Sequence, residues 1–165
     1  MITIKQLNSL SRDHFLTAIA WVFEHSPWVA ERAWAQRPFR DLNDLHDVMI
    51  QEVERASQEQ KLALLCAHPD LGTRARISEA STGEQSGAGL DRLTLEEYRR
   101  LQDLNTAYRE KFGFPFIYAV KGSNKYDILR ALEQRLETAP EGELREALEQ
   151  VYRIAWFRLR EAISS

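Results

Sequence analysis

From Ser11 to Ile163 the apolar residues recur at spacings of three and four, and residues able to cap a helix stand at the head of most of these runs. This pattern commits the chain to packed helices, because a period of 3.6 gathers every third or fourth side chain into a stripe that must be buried. Phe15, Ala18, Ile19, Val22 and Phe23 form one stripe behind Ser11, in a segment expected to reach about Glu24. Pro27 suits the first turn of a short helix through Trp34, and Asp41 caps another that carries Leu45, Val48, Met49 and Val53. Ser57 with Gln60, and Thr94 with Glu97, have the capping-box spacing and open helices over 58–67 and 95–112. Gly113 supplies a stop, Ser123 or Asn124 caps a helix to about Glu137, and Pro140 begins a terminal helix to about Ile163. No stretch joins period-two alternation to a hairpin turn. The expectation is an all-α, single-domain helical bundle over residues 1–165, interrupted by two long loops of functional character.

Two stretches depart from the helical period. Residues 71–93 are rich in Gly, Ser and Thr, and Phe112 to Gly122 is apolar without a helical repeat. Long irregular segments in a compact domain are often functional. His68 lies after the apolar run Leu62 to Ala67 and directly before Pro69, whose ring disfavours helical backbone at the preceding residue. The imidazole therefore sits at a helix end, either answering terminal carbonyls or serving as a general acid or base. Glu84 lies among Gly83, Gly87 and Gly89, which permit tight turns; it is either a solvated carboxylate on a surface loop or part of a convergent site. No Gly-Lys-Ser/Thr follows, so the segment is not a nucleotide P-loop.

In the terminal helix Leu144, Leu148, Val151, Ala155 and Ala162 define the buried stripe, and Arg158 falls within it. A guanidinium facing a core needs a partner, either a protein carboxylate or an anionic ligand, since a buried unpaired charge costs several kcal/mol. The Phe112 to Gly122 stretch raises a similar question for its backbone amides, which a neighbouring loop or a polar heterocyclic ligand could satisfy.

Composition narrows the partners. The net charge is −3 and the basic residues are interspersed with acidic ones, so no footprint for a phosphate backbone is present and nucleic acid is not expected. Apolar runs fall far short of the roughly 18 residues that span a bilayer, so no membrane partner is expected either. Cys66 is the single cysteine, which rules out an internal disulfide and fits a reducing compartment. His14, His25, His46 and His68 have no short metal-ligand spacing, and no metal site is expected. The chain begins without a signal-type apolar region and ends Ile163-Ser164-Ser165 rather than with a peroxisomal address, which fits the cytoplasm.

Three ordered motifs then carry a resemblance: His68-Pro69-Asp70-Leu71-Gly72; Ser81-x-x-Glu84-Gln85-x-Gly87-Ala88-Gly89-Leu90-Asp91; and Phe112-Gly113-Phe114-Pro115-Phe116-Ile117 with Ala119-Val120-Lys121-Gly122. Together with Ile154-Ala155-x-x-Arg158-Leu159 they closely resemble the OHCU (2-oxo-4-hydroxy-4-carboxy-5-ureidoimidazoline) decarboxylases of urate breakdown, over nearly the whole chain. The resemblance implies an all-α homodimer that converts OHCU to (S)-allantoin and carbon dioxide without a cofactor, downstream of 5-hydroxyisourate hydrolase. It implies that His68 is the catalytic acid or base with Glu84 as its carboxylate partner. Pro69, Ser81, Glu84, Gln85, Phe116, Ile117, Tyr118, Ala119 and Val120 would line the substrate site and Arg158 would complete it. The rival readings are a helical docking module, which a flat surface with His68 and Arg158 exposed would support, and an amidohydrolase acting on a ureido compound, which would release ammonia or a ring-opened product in place of carbon dioxide.

Overall fold

The computed structural model describes residues 1–73 and 78–164. Among them regular structure is almost wholly helical, and the helices open where the capping residues stand. Helix α1 (Ile4–Asn8) is capped by Thr3 in a reciprocal box with Gln6, and α2 (Arg12–Ile19) by Ser11. Helices α3 (Trp28–Trp34), α4 (Leu42–Glu54) and α5 (Gln58–Cys66) follow, the last two capped by Asp41 and by the Ser57–Gln60 box. Then come α6 (Glu79–Gly87), α7 (Leu95–Phe112), α8 (Lys125–Leu136) and α9 (Pro140–Ala162). The Thr94–Glu97 box opens α7, Gly113 ends it at φ +83°, and Asn124 rather than Ser123 caps α8. The only strands among the described residues are β1 (Ile2–Thr3) and β2 (Ile163–Ser164), a two-residue parallel pairing.

The chain forms two compact units. One comprises residues 1–67 with those from Tyr152 onward, and the other comprises His68–Val151. In the first unit α3 packs on both α2 and α4, burying Phe15, Ile19, Val29, Ala33, Leu45, Met49 and Val53. Full burial of each large apolar side chain contributes about 1.5–3 kcal/mol relative to exposure. The segment after Ser11 departs from expectation, since α2 stops at Ile19 and a single 3-10 turn, Ala20–Val22, follows. The Trp21 indole N–H donates to the Ala18 carbonyl at 2.8 Å, the acceptor that a continuing α-helix would offer to the Val22 amide. In the second unit α7 packs on α8, and Leu101, Asn105 and Tyr108 of α7 share their buried faces with Ile128, Leu132 and Arg135 of α8.

The larger departure is α6. The composition of residues 71–93 predicts a loop; residues 74–77 lie outside the described residues, and beyond them Ser78 caps a helix through Gly87, its hydroxyl accepting from the Ser81 amide at 3.1 Å. The stop is a complete Schellman motif: the Leu90 amide donates to the Gln85 carbonyl at 2.9 Å and the Gly89 amide to that of Ser86 at 3.0 Å, with Gly89 at φ +82°. The glycines and β-hydroxyl residues that obscured this helix each lower helix propensity by up to about 1 kcal/mol. Tertiary contacts to its inner face outweigh that deficit.

Candidate active site

His68 is 6% exposed and follows Ala67, the C-cap of α5, just where Pro69 prevents the helix from continuing. The chain then makes a β-turn in which the Thr73 amide donates to the Asp70 carbonyl at 3.3 Å and Gly72 takes φ +74°. Three side chains hold this turn. Asn105 Nδ2 of α7 donates to the Leu71 carbonyl at 2.9 Å, and Arg109 Nε, one turn further along α7, donates to Asp70 Oδ1 at 2.8 Å. Gln85 Oε1 of α6 accepts from the Gly72 amide at 2.8 Å. The turn beside His68 is thus fixed from two helices, and a Cβ on Gly72 would lie 2.4 Å from Leu101 Cδ2.

On α6, Ser81, Glu84 and Gln85 are spaced by three and one, so they share one helix face, and Ala88, the C-cap, follows three residues after Gln85. Ser81, Gln85 and Ala88 are buried and Glu84 is half-buried. The spacing Ser-x-x-Glu-Gln, expected to lie on a loop, is therefore a helical one, and it presents a hydroxyl, a carboxylate and an amide along a single edge. The Gly72 bond takes the acceptor end of Gln85, so the amide NH₂ is the donor this side chain still offers.

The expectation for Phe112 to Gly122 was an irregular apolar stretch, and beyond the end of α7 it is one. Phe114, Pro115, Phe116, Ile117 and Val120 are buried; Tyr118 and Ala119 are half-buried. Its shape comes from polar groups behind it. Arg135 of α8 donates to the Ile117 carbonyl through Nη1 and to Glu143 of α9 through Nε. Tyr108 also donates to Glu143, as does Thr138 at 2.8 Å. The Arg135 guanidinium further lies 4.6 Å from the Phe116 ring centroid, and Phe116 stacks on Tyr118 at 6.0 Å. Burial, reinforced by the adjacent Glu143 carboxylate, pushes the Tyr108 phenol far above its ordinary value. The Ala119 amide donates to Gln150 Oε1 at 2.8 Å, so this amide is already used by the protein. Among the described residues the amides of Ile117 and Tyr118 donate to no protein group.

Arg158 is paired within its own unit. It belongs to the first compact unit, whereas all the other expected site residues belong to the second. It is 2% exposed, and its Nη2 donates to Glu24 Oε2 at 2.8 Å while Nη1 reaches the carbonyls of Trp21 and Val22 at 3.4 and 3.3 Å. Of the two partners open to it on sequence grounds, a protein carboxylate is the one present. Arg135, Asn105, Glu143 and Gln150 were not singled out from the sequence. Arg135 could have been found by the reasoning that found Arg158, since Ile128, Leu132 and Arg135 follow one another at steps of four and three in a buried stripe. Among the described residues no cluster of His, Cys, Asp or Glu could hold a metal ion, and no helix is long and apolar enough to cross a membrane.

Residues 8–160 match the family model described as OHCU decarboxylase. The chain is 47% identical over 164 residues to the 2-oxo-4-hydroxy-4-carboxy-5-ureidoimidazoline decarboxylase of Haloferax volcanii, covering 99% of this chain and 98% of that one. It is 45% identical to the uric acid degradation bifunctional protein PucL of Bacillus subtilis, over 99% of this chain and 33% of that longer protein. Among solved structures, an (S)-allantoin synthase aligns with a TM-score of 0.81 and 36% identity over the whole chain and 55% of the other. An OHCU decarboxylase crystallised with (S)-allantoin shares the fold, with a TM-score of 0.72 at 24% identity over 85% of this chain and 93% of that one. The fold and its relatives place the protein in the class of all-α decarboxylases. Within that class, the chain belongs to the OHCU decarboxylase family.

Proposed function

We propose that the protein converts OHCU to (S)-allantoin and carbon dioxide, with His68 as the proton carrier and Glu84 as the carboxylate that orients it. The reading rests on membership of the family and on one observation in particular: the Gly72–Gln85 hydrogen bond joins the turn beside His68 to the helix face that carries Ser81 and Glu84. Breaking the bond to the departing carboxylate leaves an electron pair that the adjacent conjugated C=N of the substrate absorbs. The substrate is its own electron sink, so this route calls on no thiamine, pyridoxal or metal.

The protein then has two tasks, position and proton transfer. His68 takes the C4 hydroxyl proton or delivers a proton to C5 from one face, and delivery from one face makes the product a single enantiomer. Glu84 favours the charged imidazolium. Gln85 donates through its amide to a carbonyl of the ureido group or ring, and the Ile117 and Tyr118 amides meet acceptors on the substrate, with Ser81, Pro69, Phe116, Ala119 and Val120 completing the wall. Arg158 is assigned to the Glu24 pair and not to the substrate. This assignment avoids full neutralisation of the substrate carboxylate, which would stabilise the ground state and oppose its loss. The protein acts in the cytoplasm as a homodimer, on substrate supplied by 5-hydroxyisourate hydrolysis.

The test is to generate OHCU freshly in the cuvette and follow the optical activity of allantoin together with carbon dioxide release. Wild type should give the (S) enantiomer rapidly, and His68→Asn should lose about 10²-fold or more in rate while staying folded. Slow racemic product from wild type, or full activity in His68→Asn, would refute the reading. A solution mass equal to that of one chain would refute the dimer.

A further inference from the structure

We propose that Gln150 is a positioning residue for this reaction, holding the segment 116–120 in its binding shape through the Ala119 amide; the proposal rests on the reading that this segment lines the substrate site. Gln150 stands on α9, is 5% exposed, and has both ends of its amide assigned. Its Nε2 donates to Glu146 Oε1, one helical turn earlier, at 2.9 Å. A carboxylate only accepts, so Glu146 dictates which way the Gln150 amide faces. The oxygen end is thereby turned to the segment, where it accepts from the Ala119 amide at 2.8 Å.

The relay runs from the exposed Glu146 of α9 into a stretch that has no secondary structure of its own. Two residues before Ala119, the Ile117 carbonyl is held by Arg135, which is itself held by Glu143. Gln150 and Arg135 thus grip the segment at two backbone groups, one donor and one acceptor, on either side of Tyr118. The amides of Ile117 and Tyr118 are left to face a ligand. Such a segment keeps its shape only while its backbone groups find partners, because nothing in its own sequence imposes a helical or paired conformation. Loss of the Gln150 oxygen frees the Ala119 amide to seek another acceptor, and the neighbouring amides move with it. The expected signature is a weaker grip on the substrate with the proton chemistry at His68 untouched.

Three variants test this: Gln150→Leu, Gln150→Ala in case the leucine impairs folding, and the exchange Glu146→Gln with Gln150→Glu. The exchange keeps an acceptor at Ala119 and reverses the donor and acceptor within the pair. In Gln150→Leu or Gln150→Ala, KM for OHCU should rise about five- to tenfold, the scale of one net hydrogen bond, with kcat within about twofold. Hydrogen exchange at the Ala119 amide should accelerate in parallel, and the exchange variant should restore both readouts to within about twofold. A wild type that releases no carbon dioxide from OHCU would overturn the functional reading and this proposal together. An active wild type with unchanged KM in both single variants would overturn this proposal alone, as would an exchange variant that recovers Ala119 protection without recovering KM.

Discussion

Nη2 of Arg158 donates to Oε2 of Glu24 across 2.8 Å, and each side chain is only 2% exposed. The pair explains how a guanidinium sits in the apolar stripe of α9 beside Ala155 and Leu159. It also uses the break after α2, because the 3-10 turn leaves the Trp21 and Val22 carbonyls within reach of Nη1.

Removing one partner strands a buried charge, so Arg158→Ala should lower stability by about 3–5 kcal/mol in urea unfolding. Replacing both, with Arg158→Met and Glu24→Leu, should recover most of that loss. Allantoin formation should return with the fold in the double variant. A folded double variant with normal stability but no substrate binding would return Arg158 to the substrate site.

Gly72 and Gly89 both have positive φ, at +74° and +82°, but only Gly72 is crowded. Its added Cβ would meet Leu101 Cδ2 at 2.4 Å and Leu93 Cδ1 at 3.2 Å, whereas nothing lies within 4 Å at Gly89. Gly89→Ala should cost about 1–2 kcal/mol, the strain of a left-handed alanine. Gly72→Ala should cost about 2–5 kcal/mol, because overpacking adds to that strain. Thermal unfolding measures both. Gly72→Ala should also lower activity more than its stability loss accounts for, since the Gly72 amide holds Gln85.

Burial and the Glu143 carboxylate keep the Tyr108 phenol protonated well above its ordinary value of 10.0. A group whose pKa is raised by folding holds its proton more tightly in the native state. Its contribution is complete below the unfolded value and falls as pH rises through 10 and beyond. Tyr108→Phe should therefore be less stable than wild type at pH 7 by about 1.5–3 kcal/mol, the worth of a hydrogen bond to a charged acceptor. The gap should narrow in denaturation curves taken above pH 10. A gap that widens there would show that the phenol is not held in its neutral form.

Much of the fold was legible because helix ends are written locally. Thr94 with Glu97, Ser57 with Gln60, Asp41 and Gly113 each act on backbone groups within a few residues, and each stands where the pattern put it. The helix α6 was not legible, because Gly83 and Gly87 weaken a propensity that only burial of Ser81, Gln85 and Ala88 makes good. The two-residue β1–β2 pairing escaped for a similar reason, since Ile2 and Ile163 are paired by the tertiary fold and by nothing local.

The sequence by itself determined an all-α chain, the family to which it belongs, and the presence of an arginine that must be answered inside a core. Those properties depend on period, caps and ordered motifs, all of which are local or additive along the chain. Only the tertiary structure decided what answers each buried polar group. Arg158 meets Glu24, Arg135 meets Glu143 and the Ile117 carbonyl, Gln85 meets the Gly72 amide, and Gln150 meets that of Ala119. These partners lie between 13 and 134 residues apart, apart from the Arg135–Glu143 pair, whose members are 8 residues apart on successive helices. Desolvation demands that each group be satisfied but is indifferent to which acceptor or donor does it, so only the packed chain could choose.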